Sequence, residues 1–264
     1  MKLDVIKQLA DGLFFEPSDC VAWSPAHFNL KYRKERTSCC GFNAELLNVS
    51  LVDTPNDAPQ IVYFYDGTGN ASTHLTEVLG LAELRAQVLL YDLPGFGAID
   101  GGLSLSSYLK NSAQLFEHLC TSSKITQPAL LCGDFIGSAA ALNIASLYPG
   151  YVRGLVLNNL FSGYKSHLIS RYGPGAGHLI YNFLMSQPAD PAMQLASLNN
   201  IRTLVTYRPN GKIQKSEFLQ IKRLYADAVS FIDLSDSRNA EDHSNVKKQI
   251  TEMLYSSGDL SKDA

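Results

Sequence analysis

Gly133-Asp134-Phe135-Ile136-Gly137-Ser138 is the stretch of sequence that decides the fold. It follows an apolar run at 129–132 and precedes a helix-length stretch at 138–147, so it marks a bend between a strand and a helix. A glycine at each end of this bend leaves room for the helix to pack closely against the strand. The sequence therefore predicts a sharp strand-to-helix turn with Phe135 at its apex.

Short apolar runs and helix-length stretches alternate on both sides of this turn. Runs at 61–65, 88–91, 129–132, 155–157, 203–206 and 229–233 are typical of strands that are covered on both faces. Helices are predicted at 72–84, 104–120, 138–147, 215–225 and 244–255, and an antiparallel hairpin at 36–52 with its turn at Cys40-Gly41. This order predicts an α/β fold with a mainly parallel central sheet, helices on both faces and an N-terminal antiparallel hairpin.

Residues 161–200 interrupt the alternation. This segment contains Gly173-Pro174-Gly175 and two further prolines, at 188 and 191. We expect it to form a short cap inserted into a single domain that spans residues 1–264. The cap is rich in large apolar side chains, which predicts either the lining of an apolar cleft or core packing: Tyr164, Tyr172, Tyr181, Phe183 and Met185.

The composition is that of an ordinary globular protein. Of the 264 residues, 45% are hydrophobic and 18% are charged, and the formal net charge is -3. Nucleic-acid binding is not expected, because no surplus of basic residues is present to neutralise a phosphate backbone. Residues 1–15 are amphipathic, and no run approaches the roughly 20 apolar residues of a membrane-spanning helix. We expect a cytoplasmic protein without a transmembrane segment; its oligomeric state is left open.

The cysteines and histidines show no metal-binding pattern. The five cysteines are odd in number and include no C-x-x-C pair, which favours reduced thiols over a zinc site or a disulfide framework. The six histidines show no ligand spacing with carboxylates or thiols. We expect no metal and no cofactor.

Four segments, taken in order, resemble motifs of the α/β-hydrolase superfamily, and more narrowly of its depalmitoylase-like (serine aminopeptidase-like) subgroup. The first is similar to a turn that helps to form the oxyanion hole, and the second to an Asp-x-x-Gly-x-Gly turn. The third matches the Gly-x-Ser-x-Gly nucleophile elbow except at its centre, and the fourth lies where the superfamily has its catalytic histidine. These segments are Tyr65-Asp66-Gly67-Thr68-Gly69-Asn70, Tyr91-Asp92-Leu93-Pro94-Gly95-Phe96-Gly97, residues 133–138 and Asp242-His243-Ser244-Asn245.

Phe135 stands where the resemblance implies the nucleophilic serine. Its side chain carries no nucleophilic atom, so no acyl-enzyme can form at this position. We expect the ring to plug a redundant pocket. Three neighbours are candidate replacements: Asp134 precedes the apex by one position, Cys132 ends the strand, and Ser138 starts the predicted helix.

The other catalytic roles implied by the resemblance are incomplete as well. The turn at 207–211 has no carboxylate where the superfamily has its acid, and Asp236, Glu241 and Asp242 are expected to be solvated loop charges. His243, expected in the loop before the last helix, is then the one intact member and a candidate base.

The turn that resembles the oxyanion loop also departs from the superfamily pattern. Asp66 replaces the implied histidine, and a carboxylate there opposes the negative charge that an oxyanion hole stabilises. We expect Asp66 to accept hydrogen bonds from its own turn. If a cleft persists, the resemblance places around it Tyr65, Asp66, Gly67 and Ile136, with Tyr164 and Tyr181 from the cap.

These features favour a pseudoenzyme, a protein without serine-hydrolase activity that binds a small apolar ligand or a protein partner. Two alternatives stay open. One is an enzyme of the same fold, such as a lyase, isomerase, cyclase or cofactor-free enzyme, with His243 as its base. The other is an unconventional hydrolase that uses Asp134 or Cys132.

Overall fold

The computed structural model describes residues 13–184, 189–198, 200–209, 212–236 and 239–256. Within these ranges, eight strands form one sheet, and their order from one edge to the other is β10-β9-β8-β7-β4-β6-β3-β2. Strands β2 and β3 pair antiparallel as a hairpin, β3 pairs antiparallel with β6, and the remaining pairs are parallel. The strands are β2 (Lys31–Cys39), β3 (Phe42–Ser50), β4 (Gln60–Phe64), β6 (Gln87–Asp92), β7 (Ala129–Asp134), β8 (Val152–Asn158), β9 (Thr203–Tyr207) and β10 (Ser230–Asp233).

A separate two-stranded parallel ladder joins β1 (Glu16–Pro17) to β5 (Thr68–Gly69). Strand β1 precedes the hairpin in the chain and β5 follows β4. The ladder therefore connects the N-terminal segment to the turn that follows β4. Helices connect the parallel strands and pack on both sides of the sheet. They are α1 (Leu75–Ala82), α2 (Leu105–Thr121), α3 (Ile136–Leu147), α4 (Tyr164–Tyr172), α5 (Pro174–Leu184), α6 (Pro191–Ser197), α7 (Lys215–Tyr225) and α8 (Ala240–Tyr255).

The central strands are buried because both of their faces are covered. Strands β4, β7 and β9 consist almost entirely of buried residues, as their continuous apolar runs predict. Helix α3 is also buried over most of its length and contains alanine at 139, 140 and 141. These small side chains let α3 lie close to the sheet directly behind the sharp turn.

Several boundaries differ from those predicted from the sequence. The first hairpin strand starts at Lys31 rather than at 36. The helix predicted at 72–84 is a 3-10 turn, Ala71–His74, followed by α1, because Asn70 caps the turn through its side chain. Helix α3 begins at Ile136, two residues early, so Ser138 lies inside the helix.

The last helix begins at Ala240 rather than at 244, so the prediction of a loop around His243 was wrong. Asn239 caps this helix by accepting a hydrogen bond from the backbone N–H of Glu241, and two carboxylates lie in the first turn. Asn at the cap and acidic residues behind it are a recognisable helix start. Glu241 and Asp242 are therefore first-turn residues and not loop charges.

The segment predicted as a cap lies between β8 and β9 and contains α4, α5 and α6. Helix α4 ends at Tyr172 and α5 begins at Pro174, because Gly173 has φ 82° and proline favours the first helical position. Residues 1–12, Met185 and the turn residues Asn210 and Gly211 lie outside the described residues, as does the side chain of Phe183.

Candidate functional site

Phe135 lies at the apex of the turn between β7 and α3. Its backbone has φ 48° and ψ -109°, a conformation that costs a non-glycine residue about 1–3 kcal/mol. The turn is held by a hydrogen bond from the Phe135 N–H to the Asn158 carbonyl, 2.9 Å long. A side chain at Gly133 would lie 2.5 Å from the Gly137 carbonyl oxygen, so the sharp turn depends on both glycines.

The Phe135 ring is buried in a cluster that we call the aromatic plug: Phe14, Phe135, Phe161, Tyr164 and His167. None of these residues is more than 3% exposed. The Phe135 ring centroid lies 5.2 Å from that of His167 and 5.3 Å from that of Phe161. Phe14 stacks on Phe135 at 6.2 Å with an interplanar angle of 14°. The space in front of the apex is therefore filled by side chains from the N-terminal segment and from the cap.

The N-terminal segment 14–18, here called the strap, covers the turn at 65–70. The backbone N–H of Glu16 donates to the Gly67 carbonyl at 2.9 Å. Gly67 has φ 86°, and a side chain there would lie 2.6 Å from the Phe14 carbonyl oxygen and 2.8 Å from Ile136 Cγ2. Gly67 therefore lies close to Ile136, and the backbone of the strap packs directly against Gly67.

Asp66 behaves as the turn acceptor that the sequence predicts. Its Oδ1 accepts hydrogen bonds from the Thr68 N–H at 3.0 Å and the Thr68 hydroxyl at 2.6 Å. Its Oδ2 lies 3.8 Å from Lys212 Nζ, which also sits 6.0 Å from the Phe135 ring centroid. Tyr65 is buried and donates to Asp92 Oδ1 at 2.9 Å, so its hydroxyl is engaged by the carboxylate at the end of β6.

Asp134 ends β7 and belongs to a network at the carboxyl edge of the sheet. Asn159 Nδ2 donates to Asp134 Oδ1 at 2.9 Å, while Asn159 Oδ1 accepts from the Arg208 N–H at 2.8 Å. Burial raises the pKa of Asp134 to about 6, against the hydrogen bond from Asn159, which lowers it. Asn159 thus connects the carboxyl ends of β7, β8 and β9, and its amide group engages one oxygen of the Asp134 carboxylate.

Asp134→Asn is expected to change how stability depends on pH. The folded protein binds the Asp134 proton more tightly than the unfolded chain does, so the wild type loses stability as pH rises from about 4 to about 6. The variant lacks this loss and keeps the oxygen that accepts from Asn159. Its stability relative to wild type should rise by up to about 3 kcal/mol between pH 4 and pH 7. Urea unfolding of both proteins at the two pH values measures this, and an unchanged difference would show that Asp134 titrates normally.

Cys132 and Ser138 are engaged in the core. Cys132 is 1% exposed, and burial raises the pKa of its thiol, which disfavours the reactive thiolate. The Ser138 hydroxyl lies 2.9 Å from the Gly133 carbonyl and 2.8 Å from the Asn158 carbonyl, and it donates to this pair. The Ser138 hydroxyl therefore stabilises the turn from its core side, and the Cys132 thiol packs within the core.

His243 lies in the first turn of α8, where its backbone N–H donates to the Asn239 carbonyl at 3.4 Å. Among the described residues, the rings that contact Phe135 are those of Phe14, Phe161 and His167, and His243 is not one of them. The structure thus brings a different histidine to the apex than the sequence predicts.

His167 and Glu217 form a buried pair beside the plug. His167 Nδ1 lies 3.3 Å from Glu217 Oε2, and the two residues are 2% and 5% exposed. His167 comes from the cap helix α4, and Glu217 from the first turn of α7, where it also accepts from the Gln214 N–H at 3.4 Å. Sequence reasoning missed both residues. The spacing of Gln214 and Glu217 is typical of a helix-capping pair. Nothing in the sequence, however, links Glu217 to His167, which lies 50 positions earlier.

The two cap tyrosines predicted at the site have different environments. Tyr164 is 1% exposed and packs edge-on against Phe161 with centroids 5.1 Å apart. Tyr181 is only partly buried, and its ring lies 5.8 Å from Lys165 Nζ. Tyr164 therefore belongs to the plug, whereas Tyr181 is partly buried and packs against the edge of the core.

Four cavities lie on the described part of the chain beside strands β2, β3, β9 and β10, and neither Phe135 nor His243 lines any of these four. The same part of the chain contains no group of three or more histidine, cysteine or acidic side chains placed to hold a metal ion. None of its helices has the length and apolar character needed to cross a bilayer.

No family model matches the chain. It is 24% identical to the protein YfhR of Escherichia coli over 182 residues, which cover 67% of this chain and 62% of that protein. It is 22% identical over 180 residues to the α/β-hydrolase domain-containing protein WAV2 of Arabidopsis thaliana, covering 65% of this chain and 58% of that protein. The chain thus matches about three fifths of the length of these relatives.

An α/β-hydrolase from Vibrio vulnificus has a similar structure. Its TM-score is 0.71 at 14% identity, and the superposition covers 95% of this chain and 94% of that one. A likeness at this identity is evidence for the fold. The finer depalmitoylase-like assignment stays a prediction.

Proposed function

We propose, from the premise that the chain has the α/β-hydrolase fold, that the protein is a pseudoenzyme of this fold that acts by binding a protein partner. The observation that carries the proposal is the Phe135 ring at the apex of the β7–α3 turn, 2% exposed and enclosed by the aromatic plug. In a serine hydrolase of this fold the apex carries the nucleophile. A phenyl ring there supplies no atom that can attack a carbonyl carbon.

The neighbours of Phe135 support the same proposal. Asp134 is held by Asn159, the Cys132 thiol has a raised pKa, and the Ser138 hydroxyl donates to backbone carbonyls. To replace a serine, Asp134 or Ser138 would have to break a hydrogen bond that stabilises the turn, and the Cys132 thiol would have to ionise within the core. An unconventional hydrolase built on Asp134 or Cys132 is therefore the weakest of the three hypotheses.

The covering of the turn at 65–70 is the second support. Oxyanion stabilisation needs hydrogen-bond donors directed at an open position beside the nucleophile. Here the strap packs over Gly67, and Asp66 places a carboxylate in the same turn. Because side chains fill the space at the apex, a protein partner bound elsewhere on the surface is favoured over a small apolar ligand bound at the apex.

We also propose a cytoplasmic location. The cysteines in the described residues form no disulfide, and free thiols are typical of proteins in a reducing compartment.

The proposal is tested by measuring hydrolysis of 4-nitrophenyl esters with acyl chains of two to eight carbons. We expect wild type and Phe135→Ser to show no turnover above buffer, because the serine variant still has Phe14 and Phe161 in front of the apex. Turnover by wild type that scales with enzyme concentration and persists through two purification procedures would refute the proposal.

A second candidate function is an enzyme that uses a histidine base without a serine nucleophile. The buried His167–Glu217 pair favours it, because a carboxylate on Nδ1 orients an imidazole for proton transfer through Nε2. His243, the base proposed from the sequence, remains a candidate. Should any turnover be found, its loss in His167→Gln but not in His243→Gln would assign the base to His167, and the reverse result to His243.

A further inference from the structure

A cavity of about 220 Å³ lies away from the aromatic plug, beside the β2–β3 hairpin. It is bounded by residues 19–25, by strands β2 and β3, and by the turns at 70–72 and 92–98. Trp23 and Tyr32 line it, and they are 46% and 51% exposed. The cavity thus has two aromatic walls that are accessible from solvent, and its size suits a small molecule.

A buried carboxylate lies at this cavity. Asp92 lines it and is 5% exposed, and its Oδ1 accepts hydrogen bonds from the Tyr65 hydroxyl at 2.9 Å and the Ala71 N–H at 2.8 Å. Gly97 also lines the cavity, and a side chain there would lie 2.7 Å from Asp92 Oδ2. The glycine therefore keeps the space beside this oxygen clear.

The charge of Asp92 is not balanced by an ion pair within the described residues. Its neighbour across the β3–β6 ladder is Glu45, so two carboxylates share one face of the sheet. Glu45 is paired with Lys34 at 2.6 Å and with Arg36 at 3.4 Å. The described side chains place no cation within 4.0 Å of Asp92. Burial raises the pKa of its carboxyl group, and the more distant charge of Lys34 lowers it. A cation bound beside Asp92 would stabilise the charged form of its carboxylate.

We propose that this cavity binds a small organic ammonium ion. The ammonium group would approach the open side of Asp92, and its apolar substituent would contact the rings of Trp23 and Tyr32. Packing of an aromatic substituent against each of these rings contributes about 0.5–1.5 kcal/mol. Three carboxylates and one lysine line the cavity, which disfavours anions: Asp19, Glu45, Asp92 and Lys34. The inference is independent of the proposed function, because it uses none of the residues at the apex.

Trp23 is the one tryptophan in the sequence, so its fluorescence reports on the cavity. The experiment titrates the full chain at pH 7 with benzylammonium, with benzyl alcohol as a neutral molecule of similar shape and with sodium chloride at matched ionic strength. Benzylammonium should give a saturable change in emission, with an affinity at least about tenfold higher than that of benzyl alcohol. Sodium chloride should leave the emission unchanged.

Two variants and one control variant locate the site. Asp92→Asn should weaken benzylammonium binding at least about tenfold, while Asp53→Asn, which alters an exposed carboxylate paired with Arg85, should not change it. Because Asp92 also holds Tyr65 and Ala71, Tyr32→Ala serves as a second test at a half-exposed position and should weaken binding about threefold or more. Equal affinities for benzylammonium and benzyl alcohol, a saturable response to sodium, or unchanged binding in Tyr32→Ala would overturn the proposal.

Discussion

Phe135→Ala is expected to destabilise the fold by about 3–5 kcal/mol, because it removes a fully buried ring from the centre of the aromatic plug. Phe14, Phe161 and His167 all contact this ring and would line the resulting void. Buried sites of this kind relax only partly around such a void. The free energy of unfolding in urea measures the loss.

The positive φ of Phe135 predicts an unusual order of stability between its glycine and alanine variants. Glycine adopts φ 48° without strain, so Phe135→Gly should be about 1 kcal/mol more stable than Phe135→Ala. At Leu142, buried within α3, the ordinary order should hold, and Leu142→Gly should be about 1 kcal/mol less stable than Leu142→Ala. The same order at both positions would mean that Phe135 is not held in the strained conformation.

Gly137→Ala is expected to destabilise the fold by at least about 3 kcal/mol. A methyl group at this position would collide with the carbonyl oxygen of Phe64 and lie 2.7 Å from that of Tyr65. Backbone atoms of a central strand cannot move aside as a flexible side chain can. For a domain of this size the midpoint of thermal unfolding should fall by roughly 6–12 °C.

Gly80→Ala is the matched control for this variant. Gly80 lies within α1, and a side chain there would meet nothing within 4 Å. Alanine should therefore raise stability by about 0.5–1 kcal/mol through helix propensity. If Gly137→Ala behaves like Gly80→Ala, the close approach of α3 to the end of β4 does not exist in solution.

Local patterns predicted the sheet and the turn at its centre. Continuous apolar runs marked β4, β7 and β9 because both faces of these strands are covered, and Gly133 and Gly137 marked the bend. The start of α8 was also readable, since Asn239 is followed by two acidic residues. The resemblance to the segment with the catalytic histidine favoured a loop at His243 instead. The predicted start of α8 was therefore four residues too late.

The contents of the site were not predictable in the same way. Phe14 reaches Phe135 through the strap, and His167 reaches Glu217 through packing of the cap on α7. Both contacts join segments that are far apart in sequence, and no periodicity or spacing reports such contacts. Sequence motifs therefore indicated what the apex lacks, and tertiary packing determined what fills it.

Labelling of the folded wild-type protein with a fluorophosphonate, followed by intact mass and peptide mapping, tests the central claim most directly. This reagent forms a covalent adduct with an activated serine. We expect no stoichiometric adduct, under conditions in which a serine hydrolase of the same fold is fully labelled. An adduct of one phosphonate per chain on any serine, abolished by prior unfolding, would contradict the account.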